Sequence, residues 1–286
     1  MNWSDRQQAM LRAMGLRVWQ RTDTAPLLAA SDDTTRPARQ AAPAPAPAPV
    51  AAPAARRANP AAAAPMAAFD PDSASPAVPA LAAMAGQRGD IAAMGWQELR
   101  QAVAACTACT LCQSRTQTVF GSGAALAHWL VVGEAPGEQE DLQGQPFVGP
   151  SGELLDHMLF ALGLTRSDSD TGEPAARRVF IANTVKCRPP RNRNPGPEEL
   201  AACEPFLLRQ IELLKPRIIL ALGAFAIKAL LRSDEPVGKL RGRLHSYQGV
   251  PVVVSYHPAY LLRQPLEKAR AWEDLCLAAE IAERLA

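Results

Sequence analysis

Cysteines at two spacings form the most chemically suggestive pattern in this sequence. Cys106 and Cys109 make a Cys-x-x-Cys pair, and Cys187 and Cys203 follow with fifteen residues between them. An all-sulfur ligand set of this kind suits zinc or an iron–sulfur cluster. The spacing does not choose between the two, and Cys112 repeats the Cys-x-x-Cys spacing with Cys109. The pattern predicts a metal site that joins the start of a folded region to its middle.

The wider composition supports a metal site over a disulfide framework. The chain has six cysteines, and its N-terminus lacks the apolar core of a signal peptide. No apolar run approaches the length of a membrane span. We therefore expect a cytoplasmic protein, in which free thiols serve metals or the core. Cys276 follows the apolar periodicity of a helix and is expected to be a core residue.

Polar residues follow three of the predicted strands. Glu134, Asn183 and His257 each come directly after a short apolar run or within two residues of it. In a parallel sheet the carboxyl ends of the strands meet at one edge, so we expect these side chains to converge. Pro258 restrains the backbone beside His257, and Phe147, in a loop of Gly and Pro, is a candidate stacking surface.

The elements that must position these residues alternate between strand and helix. Strands are predicted at 129–132, 179–182, 217–222 and 250–255. Helices are predicted at 96–105, 151–162, 197–214, 224–231 and 266–285, with Ser151 as the cap of the second. This alternation predicts an α/β domain with a largely parallel sheet and helices on both faces.

The chain divides into three regions by composition. Residues 1–22 predict a short amphipathic helix that docks on another protein or folds back on its own domain, and we favour docking. Residues 23–90 are rich in Ala and Pro and predict a disordered linker. Residues 91–286 are long enough for one α/β domain with a sizeable core, expected to be a monomer.

The formal net charge of +2 says little about partners, so a nucleic-acid surface must come from local clusters. Two such clusters exist. The alternative interpretation of each is a solvated face with no ligand. The first contains Lys186, Arg188, Arg191 and Arg193, and the second contains Lys239, Arg241 and Arg243.

Longer motifs give the region from Cys106 to the C-terminus a family resemblance. It resembles the family 4 uracil-DNA glycosylases, which carry an iron–sulfur cluster. The matching motifs are Cys-Thr-Ala-Cys at 106–109, Val-Phe-Gly at 119–121, Gly-Glu-Ala-Pro-Gly-Glu at 133–138, Gln-Pro-Phe-Val-Gly at 145–149, Asn-Thr-Val-Lys-Cys-Arg-Pro-Pro at 183–190 and His-Pro-Ala-Tyr-Leu-Leu at 257–262.

The resemblance implies a four-stranded parallel sheet between helices and excision of uracil from DNA. It implies a [4Fe-4S] cluster held by Cys106, Cys109, Cys187 and Cys203, with Cys112 as a bystander. The cluster is structural in this interpretation, because the reaction is redox-neutral.

The resemblance also implies roles at the base pocket. Phe147 stacks on the flipped uracil, and Asn183 pairs with uracil O4 and N3–H. His257 stabilises negative charge at uracil O2. Glu134 orients or deprotonates water, or stabilises the cationic sugar. Ala135 stands where better-known enzymes of the wider superfamily have an Asp, so the role of Glu134 is a hypothesis.

Contacts with DNA follow from the same resemblance. Leu261 and Leu262 are candidates for a wedge that fills the vacated stack. Arg263 and the two basic clusters are expected to contact phosphates.

Three other functions remain open at this point. The first is an iron–sulfur DNA-binding redox sensor without excision. The second is a zinc-binding interaction module. The third is a glycosylase of the same fold that prefers another base, such as hypoxanthine or mismatched thymine.

Overall fold

The computed structural model describes residues 90–166 and 172–285. The predicted docking helix at 1–22 and all of the predicted linker at 23–90 except Asp90 lie outside these residues. Among the helices of the described ranges, none has the length and apolar character needed to cross a membrane.

A mixed sheet of six strands, in the order β1-β3-β2-β4-β6-β5, forms the centre of the domain. The strands are β1 (Ser122–Gly123), β2 (Trp129–Gly133), β3 (Val179–Asn183), β4 (Ile218–Leu222), β5 (Leu244–Tyr247) and β6 (Val250–Ser255). The four inner strands are parallel and correspond to the four that the sequence predicts. The two edge strands are antiparallel additions that the sequence analysis missed.

Strand β5 forms a hairpin with β6 through a two-residue turn. Gln248 and Gly249 both adopt positive φ, 48° and 84°, as a tight hairpin turn requires. Tyr247 then pairs with Val250 across the turn. As an edge strand, β5 leaves Leu244 exposed and has no continuous apolar run, which explains why the sequence analysis predicted no strand there.

Eight α-helices accompany the sheet in the described residues. They are α1 (Trp96–Ala104), α2 (Glu138–Gln143), α3 (Pro150–Ala161), α4 (Pro197–Leu214), α5 (Ala224–Leu231), α6 (Val237–Leu240), α7 (Pro258–Arg263) and α8 (Lys268–Arg284). The predicted bounds of α4 and α5 are confirmed. The predicted cap of α3 is wrong: Gly149 occupies the N-cap and Pro150 the first helical position, so Ser151 lies inside the first turn.

The core has two layers, one on each face of the sheet. Along β2, Leu130 and Val132 face a cluster that includes residues of α1, α4 and α5. Trp129 and Val131 face a second cluster, which includes residues of α3, α7 and α8. Because helices cover both faces, the carboxyl ends of the parallel strands are left as the edge where polar side chains can meet a ligand.

Candidate active site

The ends of β2, β3 and β6 bring the predicted polar residues to one edge of the sheet. Gly133 and Asn183 are paired in register at the ends of β2 and β3. Strand β6 ends at Ser255, two residues before His257. The convergence expected from the sequence therefore follows from the parallel arrangement of these strands.

The Asn183 side chain is buried and has no hydrogen-bond partner in the described residues. It is 2% exposed, and neither Oδ1 nor Nδ2 forms a hydrogen bond. A buried polar group left unpaired costs about 1–3 kcal/mol. An amide that offers both a donor and an acceptor is therefore positioned for a ligand that presents the complementary pair.

Phe147 and His257 lie together beside this amide. Their ring centroids are 5.3 Å apart, with 28° between the planes. Phe147 adopts φ 55°, and its carbonyl oxygen accepts a hydrogen bond from Arg166 Nη1 at 2.9 Å. Gly152 allows this close packing, because a Cβ there would lie 1.9 Å from the Phe147 carbonyl oxygen. The Phe147 loop is thus fixed against the first turn of α3.

The surroundings of His257 define its tautomer and charge. The Ala259 N–H donates to His257 Nδ1 at 3.2 Å, so the neutral ring carries its proton on Nε2. Burial lowers the pKa of His257 to about 4, and nearby Arg263 acts in the same direction. At neutral pH His257 is therefore an uncharged hydrogen-bond donor.

Glu134 follows β2 and is held through its backbone. Its carbonyl oxygen accepts from Thr184 Oγ1 at 2.6 Å and from the Val185 N–H at 3.2 Å. Burial raises the pKa of the Glu134 carboxyl, and the positive charge of Arg263 opposes that rise. Its half-buried neighbour Ala135 packs against the core.

Glu140 is a site-forming residue that the sequence analysis missed. Its carboxylate accepts from the N–H groups of Gly137 at 3.0 Å, Val148 at 2.9 Å and Gly149 at 3.2 Å. It thereby joins the loop after β2 to the loop that carries Phe147. The sequence signal was the spacing Gly137-x-x-Glu140, a capping arrangement at the start of α2.

The four predicted ligand cysteines line one cavity. Cys112, Arg115 and Lys186 also line it. Within residues 90–166 and 172–285, no three His, Cys, Asp or Glu side chains are arranged closely enough to hold a metal ion. The fit to a cluster therefore depends on the shared cavity and on the chemistry of the sulfur donors.

Two of these sulfur atoms already accept hydrogen bonds. Arg115 Nη1 donates to Cys187 Sγ at 3.0 Å, and the Lys186 N–H donates to Cys203 Sγ at 3.2 Å. Burial raises the pKa of Cys187 and raises the pKa of Cys203 to about 12. Such thiols become thiolates when a metal binds them, and N–H donors stabilise the resulting negative charge. The residues present fit an iron–sulfur cluster.

Two of the predicted DNA contacts are wrong, because the residues are buried. Lys186 is 1% exposed, and its Nζ donates to the Asn183 carbonyl oxygen and to Gln210 Oε1. Leu261 is fully buried in the core beside α8. Its neighbour Leu262 is 43% exposed, so it is the member of the predicted wedge that lies at the surface.

Three arginines of the basic clusters bind carboxylates of the same chain. Arg241 bonds to Asp274 and Glu273 on α8, and its side chain is largely buried, so its prediction as a DNA contact is also wrong. Arg193 pairs with Glu199 at 2.6 Å, and Arg188 lies 3.4 Å from Glu138. Among the predicted DNA contacts, four cations are exposed and form no ion pair with a carboxylate of the described residues: Arg191, Lys239, Arg243 and Arg263.

Comparisons with known proteins identify the family of this chain. Residues 120–276 match the family described as the uracil DNA glycosylase superfamily. The chain is 41% identical to a type-4 uracil-DNA glycosylase of Pyrobaculum aerophilum, over 64% of this chain and 93% of that protein. It is 43% identical to the type-4 enzyme of Thermotoga maritima, over 55% and 78% respectively. A type-5 uracil-DNA glycosylase of Pyrobaculum aerophilum is 36% identical over 49% and 64%. The chain therefore belongs to the uracil DNA glycosylase superfamily, and within it to the type-4 enzymes.

Proposed function

We propose that this chain is a DNA repair enzyme that excises uracil by hydrolysing its N-glycosidic bond and leaves an abasic site. The observation that carries the proposal is the buried, unpaired carboxamide of Asn183 beside the Phe147 ring. This pocket lies at the carboxyl edge of a parallel sheet, where α/β proteins bind ligands.

Recognition of the base follows from the two free atoms of the Asn183 amide. The glycosidic carbon is inaccessible inside a duplex, so the nucleotide must first leave the stack. Nδ2 then donates to uracil O4, and Oδ1 accepts from uracil N3–H. Cytosine presents the opposite pattern at these positions, which would leave buried polar groups unmatched. Phe147 supplies the surface on which the flipped base stacks.

His257 stabilises the leaving group. Bond cleavage leaves negative charge on uracil, part of it at O2. The Nε2–H of a neutral His257 donates to that oxygen as the charge develops, which is stabilisation of the oxyanion-hole kind. Because the Ala259 N–H donates to Nδ1, the ring nitrogen that can donate toward the pocket is Nε2.

Glu134 acts on the sugar side of the reaction. Its carboxylate orients water or accepts its proton, or stabilises the cationic sugar. The hydroxyl of water bonds to C1′, the glycosidic bond breaks, and the remaining proton neutralises the uracil anion. Ala135 lines the uracil pocket beside Glu134 and supplies no second carboxylate.

Exposed cations and one leucine carry the proposed contacts with DNA. Four exposed cations contact phosphates: Arg191, Lys239, Arg243 and Arg263. Arg188 and Arg193 flank Arg191 in its loop. Leu262 enters the space that the flipped nucleotide leaves. These contacts position the backbone while the pocket selects the base.

The cofactor we propose is a [4Fe-4S] cluster bound by Cys106, Cys109, Cys187 and Cys203. Cys112 lines the same cavity but is outside the proposed ligand set. When bound, the cluster supplies a structural cross-link, because hydrolysis needs no electron transfer. Arg115 and the Lys186 N–H would stabilise its thiolates. A zinc protein would be colourless, whereas an iron–sulfur protein is brown, so the visible spectrum distinguishes them.

Three further predictions belong to the proposal. We expect the protein to be cytoplasmic and monomeric, and we expect residues 1–22 to dock on a partner protein.

The test is cleavage of a uracil-containing oligonucleotide by anaerobically purified protein, read as alkali-labile abasic sites. We expect product from uracil, none from matched cytosine or thymine oligonucleotides, and none with Asn183→Ala. A brown, folded protein that leaves uracil intact would contradict the proposal and favour a DNA-binding sensor. Excision of hypoxanthine or mismatched thymine in preference to uracil would assign another base.

A further inference from the structure

A buried polar chain connects the cysteine cavity to the base pocket, and the proposed mechanism does not use it. Lys186 Nζ donates to the Asn183 carbonyl oxygen at 2.9 Å and to Gln210 Oε1 at 2.6 Å. Gln210 Nε2 donates in turn to the Phe120 carbonyl oxygen at 2.8 Å. Lys186 is 1% exposed and Gln210 is fully buried. Each of these side chains is therefore fixed in the interior by its partners.

The backbone of Lys186 is also held on both sides. Its N–H donates to Cys203 Sγ at 3.2 Å, and its carbonyl oxygen accepts from the Val119 N–H at 2.8 Å. These contacts come from α4 and from the loop before β1. They fix the direction in which Lys186 extends toward the end of β3.

The two hydrogen bonds of the Lys186 ammonium go to uncharged groups. Both oxygens that Lys186 Nζ contacts are neutral, one a carbonyl and one a side-chain amide. Burial of an ammonium group carries a large desolvation cost, and a buried apolar side chain of similar length would avoid it. The contact with the Asn183 carbonyl oxygen fixes the position of the residue that faces the ligand.

We propose that Lys186 and Gln210 are positioning residues that orient Asn183 toward uracil. The Asn183 amide has no hydrogen-bond partner in the described part of the chain, so its placement depends on its own backbone. Lys186 anchors that backbone at the carbonyl oxygen, and Gln210 holds the Lys186 ammonium in place. This inference rests on the proposed function, because it assigns a role toward the same base.

The test compares Lys186→Met, Gln210→Met and the double variant with the wild-type protein. Single-turnover excision from a uracil oligonucleotide is measured over a range of enzyme concentrations. We expect each single variant to lower the rate at saturating enzyme by about 10- to 100-fold, because small misplacements of a binding group are costly. We expect the half-saturating enzyme concentration to stay within about twofold, since these residues do not reach DNA. The double variant should be little slower than the slower single variant, since the pair acts as a unit.

Ile211→Val is the matched control, a conservative change at the buried neighbour of Gln210 on α4. Iron content and the thermal unfolding midpoint are measured for every variant. If Lys186→Met does not fold, the excision rate of Gln210→Met tests the inference. An active wild-type protein with variants as fast as Ile211→Val would overturn the inference and leave the proposed function intact. Rate losses that only parallel losses of iron or of thermal stability would also overturn it. A wild-type protein inactive on uracil would reject the proposed function and this inference together.

Discussion

Gly133 and Asn183 lie side by side at the ends of β2 and β3, with no room for a side chain between them. A Cβ atom on Gly133 would lie 2.5 Å from Asn183 Oδ1 and 2.7 Å from Cζ of Phe147. The absence of a side chain at Gly133 thus allows the amide and the aromatic ring to approach each other. The shape of the base pocket depends on this one backbone position.

Gly133→Ala is expected to lower uracil excision by about 100-fold or more, since the added methyl group displaces Asn183 or Phe147. The measurement is the single-turnover rate on a uracil oligonucleotide. Gly238→Ala is the control, because a Cβ there meets only the Tyr256 hydroxyl at 3.6 Å. Equal rates for the two variants would show that the close packing at Gly133 does not matter for catalysis.

The pH dependence of excision is expected to lack a histidine titration near 6.5. Burial keeps His257 neutral down to a pKa of about 4, so its Nε2–H donor is unchanged between pH 8 and pH 5. We expect titration of His257 to change the single-turnover rate by less than about twofold over this pH range. An inflection near pH 6.5 that disappears in His257→Gln would mean that the ring is protonated in the working enzyme.

The same pKa shift predicts a stability effect of defined sign. An unfolded His257 binds a proton near pH 6.5, whereas the folded one does so only near pH 4. Its contribution to the free energy of unfolding is therefore complete above pH 6.5 and is lost as the pH falls toward 4. Thermal unfolding between pH 7 and pH 5 should show a smaller decline for His257→Gln than for the wild-type protein.

Glu134→Gln is expected to slow excision by about 100-fold without weakening DNA binding, because the carboxylate acts on the reacting water or sugar. Single-turnover kinetics and a binding titration separate the two quantities. The control is Glu138→Gln, a carboxylate in the first turn of α2 whose side chain is 61% exposed. Near-normal turnover of Glu134→Gln would remove Glu134 from the mechanism.

Cys187→Ser is expected to lower iron content, thermal stability and DNA affinity together, because the proposed cluster ties the loop of Arg188 and Arg191 to the domain. Cys112→Ser should retain iron, since Cys112 lies in the cavity outside the proposed ligand set. Iron analysis and the visible spectrum measure both. Loss of iron from Cys112→Ser with retention in Cys187→Ser would reverse the assignment.

Arg191→Ala is expected to weaken DNA binding about equally for all sequences and to reduce the salt-dependence slope by about one. Arg191 is exposed at φ 56°, in the loop that follows Cys187. Binding is titrated at several salt concentrations, with the exposed Arg284 of α8 as the control position. An unchanged slope would place the DNA path away from this loop.

The sequence by itself determined the parallel sheet and the residues at its carboxyl edge. Short apolar runs alternate with helical patterns, and this local signal predicts both the strands and the polar residues that follow them. Asn183 and His257 could be chosen in this way, because parallel strands must end at one edge whatever the rest of the chain does. Edge strand β5 lacked such a signal, since an edge strand exposes half of its side chains.

Only the tertiary structure decided which polar and charged residues face a ligand and which face the interior. Lys186 and Arg241 look like surface cations in the sequence, yet Gln210 on α4 binds the first and Asp274 on α8 binds the second. For Glu140 the sequence spacing indicates only the bond to Gly137, and folding adds the N–H groups of Val148 and Gly149. Burial and hydrogen bonding depend on partners distant in the chain, and local sequence patterns do not encode those distances.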